Sequence, residues 1–108
     1  FHVIYHTDSK GIKKVISEIE RVLKPTGELF VTLNSKNNTS YLKNINYKID
    51  ENTIIKQDGI EKGIPHYFVN EEEAKMLLSN FEIQKLLYVE DIKNDGSISC
   101  QYYILARK

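Results

Sequence analysis

The feature that most constrains the fold is Glu28–Leu33, ELFVTL, a short run rich in β-formers and nearly unbroken in apolarity. Such a run suits a strand buried on both faces, as in a parallel sheet with helices above and below. Strong punctuation bounds it. Upstream, Lys24 precedes Pro25, and a residue before proline is pushed away from helical angles. Pro25-Thr26-Gly27 therefore reads as a helix stop and a turn. Downstream, Asn34–Ser40 (NSKNNTS) is a polar loop at the strand's C-terminal end.

The other elements follow from spacing. Phe1–His6 is a short apolar-aromatic run, compatible with the end of a strand. Thr7, Asp8 and Ser9 supply N-cap chemistry. Ile12, Val15, Ile16, Ile19, Val22 and Leu23 then recur at helical spacing, which predicts a helix over about 9–23. Residues 41–69 are the least legible third. Ile54-Ile55-Lys56, a turn at Asp58-Gly59, and Ile60 suggest a short hairpin. Asn70 with Glu73 forms a variant of the capping box. Ala74, Leu77, Leu78 and Phe81 mark the buried face of a second helix, roughly 71–79. Glu71–Glu73 lie in its first turn, where the helix dipole favours negative charge. Ile83–Ile92 and Cys100–Ala106 read as strands, joined by Lys93-Asn94-Asp95-Gly96-Ser97 with strong turn chemistry. So short a connection makes them antiparallel neighbours. The fold class is α/β with a mixed sheet: three clear strands, one partial strand at the N-terminus, and an antiparallel C-terminal β-hairpin.

Composition sets the limits. A chain of 108 residues allows one small domain, 1–108, burying only about 60–65% of its unfolded surface. Fifteen basic residues balance fifteen acidic ones, which argues against a nucleic-acid partner. No stretch approaches a membrane span. The lone Cys100 cannot form an internal disulfide, so a reducing, cytoplasmic setting is expected. It lies inside a strand with no activating partner, so it is not expected to act as a nucleophile. No histidine pair has helical ligand spacing, and no metal site is expected.

With ERVLKPTGELFVTL (Glu20–Leu33) in place, this element order resembles the C-terminal half of class I S-adenosylmethionine-dependent methyltransferases. FHVIYHTD looks like the segment leaving that family's fourth strand. The Leu-Lys-Pro-x-Gly block looks like the turn before its fifth. PHYFVNEEEAKMLLSNFEI looks like the approach to the last helix, that helix, and the start of the sixth strand. QYYILARK resembles the seventh strand, which in the family inserts antiparallel between the fifth and sixth. The resemblance implies a partial Rossmann-like methyltransferase fold. Thr26 stands where the family usually has glycine. A type I turn accepts threonine there, whereas a type II turn with positive φ would strain it. The larger departure is the missing cofactor grip. The glycines, at 11, 27, 59, 63 and 96, form no G-x-G turn, and the first three strands are absent. The chain is therefore expected to be a piece of a longer methyltransferase, with weak or no binding of S-adenosylmethionine by itself.

In α/β sheets ligands gather beyond the C-terminal ends of strands. The resemblance places Phe1 and His2 near the methionine part of the cofactor, and Tyr5 and His6 on the substrate side. Asn34 and Ser35 lie at the end of the fifth-strand equivalent and are substrate-binding candidates. His66 and Tyr67 lie in an insertion of the kind that shapes the acceptor pocket. His66 is a candidate general base. Packing is the alternative for each of these side chains: HYFV (66–69) equally suits seating the insertion on the sheet.

Three functions follow as expectations. The first is a methyltransferase, of which this chain is a part, moving a methyl group from S-adenosylmethionine to a small-molecule acceptor by direct displacement, with positioning supplying much of the rate. The second is a non-catalytic α/β interaction module. It would form a homo-oligomer, or be completed by another chain, through an exposed sheet edge left at the N-terminal strand and Glu28–Leu33. The third is half of another nucleotide-binding α/β enzyme such as a dehydrogenase. The final hairpin and the lack of a phosphate-binding turn argue against it.

Overall fold

The computed structural model describes residues 2–3, 8–57 and 59–108, with His2 and Val3 described as backbone only. In chain order the elements are β1 (His2–Val3), α1 (Ser9–Val22), β2 (Glu28–Ser35), α2 (Thr39–Lys43), β3 (Lys48–Asp50), β4 (Thr53–Ile55), β5 (Pro65–Val69), α3 (Glu71–Leu77), β6 (Glu82–Ile92) and β7 (Ile98–Arg107). One turn of 3₁₀ helix, Ile45–Tyr47, leads into β3.

Helix α1 starts where Asp8 accepts a hydrogen bond from the Gly11 amide at 2.8 Å. It buries Ile12, Ile16 and Ile19. Val15 and Val22, from the same predicted stripe, stay exposed at the stripe's margin. The helix ends at the turn of residues 24–27, closed by Gly27 N–H to Lys24 C=O at 2.8 Å. Here the expected type I geometry is overturned. Thr26 has φ +67°, the left-handed value of a type II turn. The reason lies at the next position. A Cβ on Gly27 would stand 2.7 Å from Leu23 Cγ and 2.8 Å from the Lys24 carbonyl. The chain is pressed against the helix end there, and Thr26 takes the strained conformation that delivers it. Lys108, at the other end of the sequence, donates to the Leu23 carbonyl at 2.7 Å and to the Glu20 carbonyl, capping the same helix end.

The strand order is β3-β4-β5-β2-β7-β6, with β1 also on β2. β7 runs antiparallel to β2 from Glu28↔Arg107 to Asn34↔Gln101. It also pairs antiparallel with β6 along almost all of the latter's length. One edge of β2 is shared: β1 pairs parallel at Phe30 and Val31, and β5 pairs parallel at Asn34 and Ser35. The expected open edge at Glu28–Leu33 is therefore closed among the described residues, because β7 takes one side and β1 with β5 the other. The hairpin expected across Asp58-Gly59 with a return at Ile60 is also corrected. β4 pairs antiparallel with β3 on one side and with Pro65–Ile55 to Tyr67–Thr53 on the other. Ile60 is fully exposed in the connection, and Asp58 lies outside the described residues. A proline tolerated at a strand's first residue explains why PHYFV can pair at all.

The main core lies on one face of the sheet, where α1 and α3 pack over Leu29, Val31, Leu33, Tyr67, Val69, Ile104 and Ala106. The strand buried on both faces, expected for Glu28–Leu33, is buried fully on one. Phe30, on the opposite face, is 43% exposed. Alternation along a strand gives each residue one face only; α1 and α3 cover one face along its length, while on the other only the C-terminal part of β2, from Thr32, is buried.

Candidate functional site

Parallel pairing of Asn34 with Phe68 sets which side chains share a face. Asn34, His66 and Phe68 lie on the face away from the two helices; Ser35, Tyr67 and Val69 lie on the helix face. The structure thus brings Asn34 and His66 to one pocket and sends Tyr67 to another. Ser35 is buried, and its hydroxyl accepts from the Asn37 amide at 3.1 Å, shaping the turn after β2. Phe1, Tyr5 and His6 lie outside the described residues, as does the side chain of His2.

The pocket over the C-terminal end of β2 has a volume of about 340 Å³. Three regions distant in sequence build it: α2 with Thr39, Ser40 and Lys43; the β4–β5 connection with Lys56 and Glu61, continued by His66 of β5; and the β6–β7 turn with Lys93 and Ser97. Gln101 donates to Asn34 Oδ1 at 3.4 Å on its floor. Asn38 locks the assembly. Its Nδ2 donates to the Ser35 carbonyl at 2.9 Å and the Cys100 carbonyl at 2.6 Å, and its Oδ1 accepts from the Cys100 amide at 3.2 Å. This buried amide mimics a strand backbone and ties α2 to β7. The Ile98 amide donates to Thr39 Oγ1 at 2.7 Å in the same seam.

His66 is buried, with Nδ1 2.9 Å from the Ile64 carbonyl and Nε2 3.2 Å from Glu61 Oε1. Both ring nitrogens therefore face acceptor oxygens. The same Glu61 oxygen lies 3.7 Å from Lys56 Nζ. A general base must turn a lone pair toward its substrate; the Nε2 edge of the ring meets the Glu61 carboxylate on the pocket wall. Glu61, Lys43, Lys56, Lys93 and Gln101 carry no sequence signal of a site. They sit at a helix end, in loops or on a strand with no motif spacing, and only the docking of α2, the pairing of β4 with β5 and the hairpin turn bring them together.

A second cleft, about 460 Å³, opens between α1 and α3 on the opposite face, lined by Ile16, Met76, Phe81, Tyr67, Glu20 and Glu73 among others. Its polar floor is tightly tied. Glu73 closes a capping box with Asn70, and accepts from Asn52 at 2.9 Å and from Lys36 at 3.1 Å. Partial burial opposes ionisation of Glu73, but the hydrogen bonds from Asn70, Asn52 and Lys36 outweigh it and lower its pKa. Asp50 is lowered in the same way: burial opposes, and bonds from Ser9, Asn52 and Thr53 win. Tyr67 is pushed up to about 12, mainly by burial and further by the charges of Glu73 and Asp50. It stays a neutral hydroxyl at physiological pH. Among the described residues no helix is long and apolar enough to cross a membrane.

No protein-family model matches the sequence, and comparison with curated proteins finds no relative. A solved structure does match: the crystal structure of a SAM-dependent methyltransferase from Methanosarcina mazei. It is 25% identical, with a TM-score of 0.71, and the match covers 94% of this chain and 52% of that one. This chain spans about half the length of that protein. The likeness agrees with the mixed α/β architecture, in which β7 lies antiparallel between β2 and β6. The chain has the fold of a partial S-adenosylmethionine-dependent methyltransferase domain, Rossmann-like, with the antiparallel hairpin at its C-terminal end.

Proposed function

We propose that this chain forms the acceptor side of a methyltransferase that moves a methyl group from S-adenosylmethionine to a small molecule. One observation carries the reading: a polar pocket sits over the C-terminal end of β2, where α/β sheets gather ligands, in a fold shared with a methyltransferase. Asn34 and Gln101 supply amide groups on the floor, and the His66–Glu61–Lys56 chain forms a charged wall. Such groups orient an acceptor by hydrogen bonding, and orientation is a large part of what a direct displacement needs. A buried free thiol at Cys100 fits a reducing compartment such as the cytoplasm.

The described residues do not fit a cofactor grip. The cradle at Gly27 is filled by the chain's own Leu23 and Lys24, and Gly59, Gly63 and Gly96 stand in turns with open space around them. Calorimetry of this chain with S-adenosylmethionine should show no micromolar binding. The coding sequence upstream of Phe1 tests the reading. It should contain a G-x-G-x-G turn after a strand, within roughly 60–90 residues. The product translated from that start should transfer labelled methyl from S-adenosylmethionine. An upstream sequence without such a turn would overturn the proposal.

A further inference from the structure

We infer that β6 is a docking edge for a second copy of this chain, the two β6 strands pairing antiparallel about a two-fold axis between their Tyr88 residues. This goes beyond the proposed function and does not rest on it. The two edges of the sheet differ. β3, at one end, is three residues long. β6, at the other, runs for 11 residues without a proline and pairs with β7 alone among the described residues. Such an edge is a template for another strand. Its phase follows from the hairpin turn, where the Lys93 N–H donates to the Ser97 carbonyl at 2.9 Å. Bonded and non-bonded positions alternate along an antiparallel ladder. Lys85, Leu87, Val89 and Asp91 therefore turn their backbone groups toward β7, and Leu86, Tyr88 and Glu90 turn theirs outward. Every residue from Leu87 to Lys93 is exposed, with Leu87 48% and Val89 42% accessible.

Charge selects the occupant. Charged side chains ordinarily guard an edge against indiscriminate pairing. Here they fit a second copy. Lys85, Leu87, Val89 and Asp91 share the face away from α1 and α3, since Lys85 pairs with Leu105 and Leu105 with Phe30. Lys85 and Asp91 are exposed, and neither makes an ion pair among the described residues. A two-fold axis perpendicular to the sheet keeps like faces together, so the register must centre on one residue. Centred on Tyr88, it sets Lys85 against the partner's Asp91 and Leu87 against the partner's Val89, and symmetry repeats both contacts. The outward backbone groups of Leu86, Tyr88 and Glu90 then bond to those of the partner's Glu90, the partner's Tyr88 and the partner's Leu86. Centred on Val89, the register would set Lys85 against the partner's Lys93 and Leu87 against the partner's Asp91. Opposite charges directly across a sheet stabilise it and like charges destabilise it, which favours the Tyr88 register.

The test is sedimentation velocity of the 108-residue chain from about 10 μM to about 1 mM, a range set by the small size of one strand pair beside a standard interface. A monomer–dimer equilibrium is expected. Amide exchange should slow with concentration at Tyr88 and Glu90, and stay unchanged at Leu87 and Val89, which already bond to β7. Lys85→Glu and Asp91→Lys each turn both cross-copy pairs from attractive to repulsive. Each should weaken dimerisation about thirtyfold. Mixed in equal amounts, the two variants should recover the dimer, because each then faces opposite charges on the other. At the lowest concentration each variant should melt with the parent chain, both positions being exposed and without an ion pair. A chain that stays monomeric throughout the range, a dimer that either substitution leaves intact, or a mixture that fails to recover it would overturn the inference. None of those results touches the methyltransferase reading, which the upstream sequence tests separately.

Discussion

The frame of β2, β7, α1 and α3 and the insertion between β2 and α3 are held together by different forces. In the frame, Ile12, Leu29, Leu33, Leu78 and Ile104 are completely buried within one continuous apolar cluster. In the insertion Tyr67 and Val69 of β5 join that cluster, and Tyr41, Ile54 and Phe68 form a smaller one on the other face. Polar side chains bonded to backbone order much of what remains. Asn38 bridges to Cys100, Asn44 donates to the Ser40 carbonyl at 2.8 Å, and Asn52 donates to the Phe68 carbonyl at 2.9 Å. Burial is non-directional and scales with area. Hydrogen bonds are directional, modest in net strength, and costly when broken in a buried place. The frame therefore supplies stability, and the insertion supplies the placement of groups around the pocket.

That contrast can be broken most sharply by matched truncations. Leu33→Ala should destabilise global unfolding by about 3 kcal/mol, the usual scale for a leucine lost from a packed core. Ile54→Ala removes similar bulk from the insertion. It should move the global midpoint less while speeding hydrogen exchange at β4 and β5. Equal global shifts would show the two regions to be one cooperative unit. Asn38→Ala comes next. It leaves the buried Cys100 amide and carbonyl without their partner and should cost about 2 kcal/mol, read by denaturant titration and by faster exchange at Cys100.

Charge in the insertion's seam with α3 gives a smaller effect with a defined pH sense. Glu73 and Asp50 have pKa values lowered in the folded chain from their ordinary 4.5 and 3.8. A lowered folded pKa means stability that is complete above the ordinary value and is lost as pH falls through the folded one. Thermal stability should therefore hold from neutrality down to about pH 5 and then decline. Glu73→Gln keeps a side chain able to close the capping box but removes the charge facing Lys36. It should cost about 0.5–1 kcal/mol at pH 7 and flatten the upper part of the acid decline. An unchanged acid profile would show that the Lys36 contact contributes nothing. Smallest is Thr26→Gly, which relieves a left-handed threonine but adds freedom to the unfolded chain. A net gain of about 0.5 kcal/mol is expected in the frame, with the pocket untouched.

The frame was legible because its signals are periodic. Ile12, Ile16 and Ile19 repeat on one helical face, ELFVTL is a run that only a sheet core can bury, and Asp95-Gly96 marks the hairpin. The insertion was opaque for a physical reason. β3 and β4 are three residues each, too short to show alternation, and β5 opens on a proline. Thr26 illustrates a different limit, since a local rule favoured an unstrained turn while the close approach of Gly27 to Leu23 imposed a strained one. At the pocket, Asn34 could be nominated from its place at a strand end, and His66 from its place in the insertion before the last helix. Lys43, Lys56 and Lys93 could not, because nothing in their spacing records that a helix end and two loops meet. Tyr67, adjacent to His66, faces the other side of the sheet, as strand alternation requires.

Everything functional rests on the last strand lying between β2 and β6. Interstrand NOEs between α-protons test this directly. The account predicts cross-strand contacts from β7 to both neighbours at the non-hydrogen-bonded pairs, Thr32↔Tyr103 on one side and Tyr88↔Tyr102 on the other. Contacts from β7 to β6 alone, or a direct pairing of β2 with β6, would contradict it.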